Sequence, residues 1–324
     1  MKKFSLLLLL MSITALVLAA CGGESDESSE DESADGGEET AETYTVEHAM
    51  GTAEIEGTPE KVVILTNEGT EALLSMGVTP VGAVQSWTGD PWYDHISDQM
   101  EGVEVVGTES EVNVEAIAAL DPDLIIGTKL RQEAVYEQLE AIAPTVMSET
   151  LKGDWQENFE LYAEALNKSE EGEQVMADYE TRVDELSGQL EEGGHLEKEI
   201  SMVRFLAGDT RIYHKDSFSG IILDQLGFAR PPEQDVDDFA EKGVTKERVE
   251  AMEGDVLFYF TYETGDGEAN QNAEDWLNDP LFQNLEVVQE GNIKEVSDTI
   301  WNTAGGVLAA NVMLDDIEDY FLAE

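Results

Sequence analysis

Residues 61–84 read KVVILTNEGTEALLSMGVTPVGAV. KVVILT (61–66) is short, apolar and β-branched, and EGTEALLSMG (68–77) has helix composition with Gly77 as its stop. PVGAV (80–84) is apolar again. A strand, a helix and a strand in so short a span imply a right-handed crossover between parallel strands. The pattern continues with NVEAIAALD (113–121), stopped by Pro122, then DLIIGT (123–128), EAVYEQLEAIA (133–143) and TVMSE (145–149). A second set runs through ISMVRFL (200–206), GIILDQLG (220–227), DVLFYFT (255–261), NIKEVS (292–297) and GGVLAANVMLDDIEDYF (305–321). It repeats the strand–helix logic of the first, so two α/β lobes are expected.

Between the two sets, residues 155–192 read as continuously helical. Val175, Tyr179, Val183, Leu186 and Leu190 recur as an amphipathic stripe, and Gly193 and Gly194 end it. A helix over 169–192 would be about 36 Å long at 1.5 Å per residue, enough to join one lobe to the other. So stiff a connector limits hinge motion. A ligand would lie in the cleft, against loops at the C-terminal ends of the strands.

The chain has 324 residues, 41% hydrophobic, enough for a core in each lobe. Its 17 Lys+Arg stand against 72 Asp+Glu, a formal net charge of −55. That excludes nucleic acid, whose binders cluster cations on phosphates, and disfavours direct docking on anionic lipid. The acids run through helical stretches such as VDELSGQLEE and LDDIEDY. Two readings of this acidity compete: binding of cations or a basic partner, and adaptation of a whole surface to concentrated salt, where the Debye length falls to about 3 Å at 1 M. No acidic cluster has a metal-loop spacing, which favours the second.

The start of the chain is organised differently. Lys2 and Lys3 precede FSLLLLLMSITALVLAA, a secretory signal peptide over 1–20. Leu18-Ala19-Ala20-Cys21 resembles a bacterial lipobox, which would make Cys21 the lipidated first residue of the mature chain. Cys21 is the only cysteine, so no intramolecular disulfide can form. Several acyl chains on one residue give stable anchoring. GGESDESSEDESADGGEETAE (22–42) cannot bury enough apolar surface to fold. Residues 21–43 therefore read as lipidated Cys plus disordered acidic tether. The N-terminal lobe follows at 44–168, the connecting helix at 169–192 and the C-terminal lobe at 193–324.

The sequence has no GxGxxG opening a helix after a strand, no GxxxxGK[ST], no HExxH and no GxSxG. Its four histidines, at 48, 95, 195 and 214, never fall at metal-ligand spacing. An exported, tethered, two-lobed chain of this kind reads as a receptor and not an enzyme.

From about residue 44 onward the chain resembles the iron-siderophore solute-binding lipoproteins of Gram-positive ABC importers. The resemblance is carried by KVVILTNEGTEALLSMGVTPVG, NVEAIAALDPDLIIGTKLRQE, IAPTV, RFLAGDTRIYHKDSFSGIILDQLGF and TIWNTAGGVLAANVMLDDI. The last two stretches are similar to the subgroup that takes up citrate-based hydroxamate siderophores. The fold this implies is a pair of Rossmann-like lobes joined by a single long helix. The implied function is delivery of a ferric siderophore to a membrane permease, by a monomer anchored to the outer face of the cytoplasmic membrane. Iron would arrive chelated, with no intrinsic cofactor and no protein ligand to the metal.

Such a ligand is anionic and oxygen-rich, which gives cations a purpose in so acidic a chain. Lys129 and Arg131, in GTKLRQE, are expected on one side of an extended stretch, with Arg204 facing them across the cleft. Arg211 and Lys215 lie close to Arg204 in the chain. Arg131 and Tyr213 fall where similar receptors place ligand contacts. Trp87 and Trp301, in strand-end loops, are candidates to stack on the ligand. Tyr259 and Tyr262 end one strand, and alternation lets only one of them reach the cleft. Trp92, Trp155 and Trp276 are read as structural. The resemblance also implies permease-docking glutamates at Glu115 and Glu247. Glu109 and Thr303 stand where receptors for purely carboxylate siderophores have arginine, which favours a dihydroxamate ligand. Haem or a corrinoid is the alternative ligand, with Tyr213 or His214 as axial group for haem. A surface hydrolase has no supporting motif. Because the ligand shares the sign of the protein's charge, binding is expected to strengthen as salt is first added.

Overall fold

The computed structural model describes residues 42–323 except 152 and 154. The expected signal peptide, Cys21 and nearly all of the acidic tether lie outside the described residues. The chain enters through an antiparallel hairpin, β1 (Thr43–His48) and β2 (Gly51–Glu56). KVVILT then supplies β3 (Val62–Ile64), and Thr66 caps α1 (Asn67–Ser75) by accepting the Gly69 N–H.

The N-terminal sheet continues with β4 (Gly82–Gln85), β5 (Glu104–Thr108) and β6 (Glu111–Val112). After α2 (Val114–Ala119) and β7 (Leu124–Thr128) come two short helices, α3 (Lys129–Gln132) and α4 (Tyr136–Glu140), and then β8 (Thr145–Ser148). The strand order is β6-β5-β4-β3-β7-β8, parallel except for the edge pair β5–β6. β3, β7 and β8 are buried along their whole length. They lie within a sheet covered on both faces, which explains their continuous apolar composition.

The helical stretch between the lobes is broken in two. α5 (Trp155–Ala165) ends where Asn167 takes a left-handed conformation, φ 54°. The Lys168 N–H returns to the Ala163 carbonyl and the Asn167 N–H to that of Glu164, a turn that closes one helix before the next starts. This corrects the continuous helix expected over 155–192. α6 (Ser169–Glu192) is a separate helix of 24 residues folded back against α5. The two approach closely at Gly172, where a Cβ would come within 2.6 Å of that of Ala163. The buried stripe of α6 begins at Met176, with Val175 only half-buried, and continues through Tyr179, Val183, Leu186 and Leu190.

The C-terminal lobe comprises β9 (Ile200–Leu206), β10 (Asp209–Tyr213), α7 (Phe218–Leu226), β11 (Ala240–Lys242), β12 (Val256–Thr261), α8 (Glu268–Leu277), α9 (Glu286–Gln289), β13 (Ile293–Glu295) and α10 (Val307–Leu322). Its sheet order is β11-β10-β9-β12-β13. β9, β12 and β13 are parallel, but β9, β10 and β11 form an antiparallel meander. The second lobe is therefore not a repeat of the first. RFLAGDTRIY is a hairpin, turned at Ala207-Gly208 with Gly208 at φ 66°, and its two arginines are cross-strand partners.

α6 packs on α5 of the first lobe and on α7 and α10 of the second. α10 in turn touches α1, where the buried Glu71 carboxylate accepts the Ala309 N–H at 2.8 Å and lies 2.5 Å from His95 Nε2. One continuous hydrophobic core thus runs between the lobes behind the cleft.

Candidate functional site

The parallel strands of both sheets end at a cleft between the lobes, with a cavity of ≈ 690 Å³. The segments that follow β3, β4, β5 and β7 contribute Asn67, at the start of α1, Trp87, Glu109 and Arg131, in α3. β9, β10 and β11 contribute Arg204, Arg211 and Lys242, and the end of β12 contributes Tyr262. A π-helical turn, Thr299–Thr303, brings Asn302 and Thr303 to the floor. Leu130 and Leu206 supply apolar wall from opposite lobes. A few directed polar groups among apolar walls are the usual make-up of a small-molecule site.

Arg204 is the most constrained of the cations. It is 6% exposed, and the Asp298 carboxylate accepts from its Nε at 2.6 Å and its Nη2 at 3.1 Å. The Tyr213 hydroxyl accepts from Nη1 at 2.9 Å, and the ring of Tyr262 lies 4.9 Å from the guanidinium carbon. Three of five N–H donors are committed, leaving one on each terminal nitrogen. Burial opposes the Arg204 charge, but the Tyr213 oxygen and the Asp298 carboxylate outweigh it and hold its pKa above the ordinary value. Burial likewise raises the Tyr262 hydroxyl, against the pull of Arg204. A guanidinium fixed in this way presents its remaining donors in one orientation, suited to carboxylate or hydroxamate oxygens.

On the other lobe Arg131 Nε is 3.5 Å from Glu109 Oε1, and its guanidinium lies 5.8 Å from the Trp87 ring centroid. Glu109 is 5% exposed and accepts from both the backbone N–H and the side-chain amide of Asn67, each at 3.0 Å. Its carboxylate therefore sits at the N-terminus of α1, where the helix dipole favours an anion. That accounts for an acid at this position of the cleft.

Residues 62–299 match the periplasmic binding protein family. The chain belongs to that family. Among its relatives is the "Probable siderophore-binding lipoprotein YfiY" of Bacillus subtilis, 50% identical over 99% of each chain. The "Fe(3+)-citrate-binding protein YfmC" of the same organism is 27% identical, over 98% of this chain and 96% of its own. Among solved structures, Staphylococcus aureus SirA complexed with staphyloferrin B superposes with a TM-score of 0.78 at 32% identity. That match covers 86% of this chain and 98% of SirA.

In this periplasmic binding protein the cleft gathers Trp87, Arg131, Arg204, Arg211 and Tyr262 from the residues singled out in the sequence. The others lie elsewhere. Lys129 is not on an extended stretch: residues 129–132 are helical, and its ammonium pairs with Glu149 at 2.7 Å away from the cleft. Tyr213 is fully buried behind Arg204, whose Nη1 donates to its hydroxyl, and does not line the cleft. Trp301 is fully buried against Phe258, with its indole N–H on Asp316. Tyr259 faces the second core beside Phe205 and donates to Glu295. Lys215 is tied to Asp235 and Asp237. Trp92, Trp155 and Trp276 are buried, as expected of structural residues.

Lys242, Phe239, Leu206 and Leu130 also line the cleft, although nothing in the sequence singled them out above. The alternation in RFL and TRIY around Ala207-Gly208 could have revealed the hairpin and so Leu206. β11 is three residues of mixed polarity, AEK, and carries no such signal. Among the described residues no group of three or more His, Cys, Asp or Glu could hold a metal ion.

Proposed function

We propose that this protein is a lipid-anchored receptor on the outer face of the cytoplasmic membrane. It binds a ferric siderophore of the citrate-based dihydroxamate kind and delivers it to an ABC importer without chemistry of its own. Four cations converge on one cleft in a chain of net charge −55, and this observation carries the reading. The names of the relatives support a ferric-chelate ligand. Glu109, in place of a further cation, supports a chelate with few negative charges. Tyr213 and His214 are both buried, which weighs against either as an axial haem ligand.

The test is tryptophan-fluorescence titration of the purified protein in high salt with a ferric citrate-dihydroxamate, ferric citrate, a ferric catecholate and haem. The dihydroxamate chelate is expected to quench most tightly, and Trp87→Phe to remove most of the signal, because Trp87 lines the cleft whereas Trp301 is buried and does not. Preference for haem, with a Soret band, would overturn the reading.

Glu115 and Glu247 complete the proposal as the permease contacts. Each is exposed in the first turn of a short helix, one per lobe. Replacing both with arginine is expected to leave ligand affinity unchanged and to abolish uptake in cells. Unimpaired uptake would remove them from the interface.

A further inference from the structure

The strand register pairs Arg204 with Arg211 on β9 and β10, and Arg211 with Lys242 on β10 and β11. Residues directly opposed in an antiparallel pair project to the same face, so the three cations form a row, and all three line the cleft. Like charges directly opposite destabilise a sheet unless they are compensated. Arg204 is compensated by Asp298, Arg211 by Asp209 at 2.7 Å, and Arg131 across the cleft by Glu109. Lys242 makes no ion pair among the described residues. Its ammonium lies 5.5 Å from the Phe239 ring centroid, at the outer end of the row.

On the receptor reading above, we propose that Lys242 is the residue by which the cleft selects anionic over neutral ferric chelates. The three arginines already face carboxylates. They supply directed hydrogen bonds to a ligand but little uncancelled charge. An unpaired ammonium rewards each negative charge brought near it, and its flexible stem lets it follow the ligand.

The experiment compares Lys242→Gln and Lys242→Arg with the unaltered protein at fixed salt. Three chelates of graded charge serve as probes: ferric citrate, a ferric citrate-dihydroxamate and a neutral ferric trihydroxamate. Lys242→Gln is expected to weaken binding of the anionic chelates by about tenfold, the loss growing with the chelate's negative charge. The neutral chelate should change by no more than about twofold. Lys242→Arg should restore anionic binding. An equal loss for all three, or no loss, overturns the role of Lys242 and leaves the receptor reading intact. Unaltered protein that binds none of the three overturns both.

Discussion

Replacing Asp298 with alanine is expected to destabilise the protein by about 3–5 kcal/mol and to weaken chelate binding at least tenfold. The reason lies in what remains. Arg204 is nearly inaccessible to water, and Asp298 holds two of its five N–H groups. Removing the carboxylate strands a buried charge, with only the Tyr213 hydroxyl and the Tyr262 ring beside it. Arg204→Ala should be comparably destabilising, since it strands Asp298 instead. The double change Arg204→Met with Asp298→Leu separates the two effects. Replacing a buried pair by apolar groups of similar size is often neutral for stability. Urea unfolding should therefore show most of the stability recovered while titration shows binding still lost. If the double variant binds as the unaltered protein does, Arg204 is not a ligand contact.

The second large effect is expected from salt. Two like charges 10 Å apart in water repel by about 0.4 kcal/mol. With 72 acids against 17 bases, many such pairs sum to destabilisation on the order of several kcal/mol at low ionic strength. Raising salt toward 1 M shortens the Debye length to about 3 Å and removes most of it. The melting temperature should climb steadily with sodium chloride. Affinity for an anionic chelate should rise over the first part of the same range, because long-range repulsion of the ligand is screened before contacts inside the cleft are. Affinity that falls from the lowest salt upward, in protein shown to be folded, would contradict this account. Stability indifferent to salt would mean that the acids are too far apart to matter.

The lobes were legible because central parallel strands and amphipathic helices leave periodic traces in sequence. VVILT (62–66), LIIGT (124–128) and ISMVRF (200–205) are buried on both faces, and a residue run of that kind has few other uses. The antiparallel meander was harder to read, since β11 is short, half-exposed and ordered by its neighbours more than by its own residues. Arg204 was found because a cation near the end of a strand is conspicuous in so acidic a chain. Lys242, one of the same row, was missed because its neighbour in space is 31 positions away along the chain.

Tyr213 and Trp301 mark the boundary between the two kinds of information. Residue type and strand-end position put both near a cleft, and both are near it. Whether a ring faces ligand or core depends on a rotation about one strand or one turn. At Trp301 that rotation is settled by packing against Phe258 and by a hydrogen bond to Asp316. At Tyr213 it is settled by Phe239, Phe260 and the Arg204 guanidinium. Local chemistry was enough to specify two α/β lobes, a helical link, an acidic surface and the residue types of the cleft, because each depends on neighbours in sequence. Pairing is different. Which cation meets a carboxylate and which is left for a ligand depends on contacts between distant segments, and these exist only once the chain has folded.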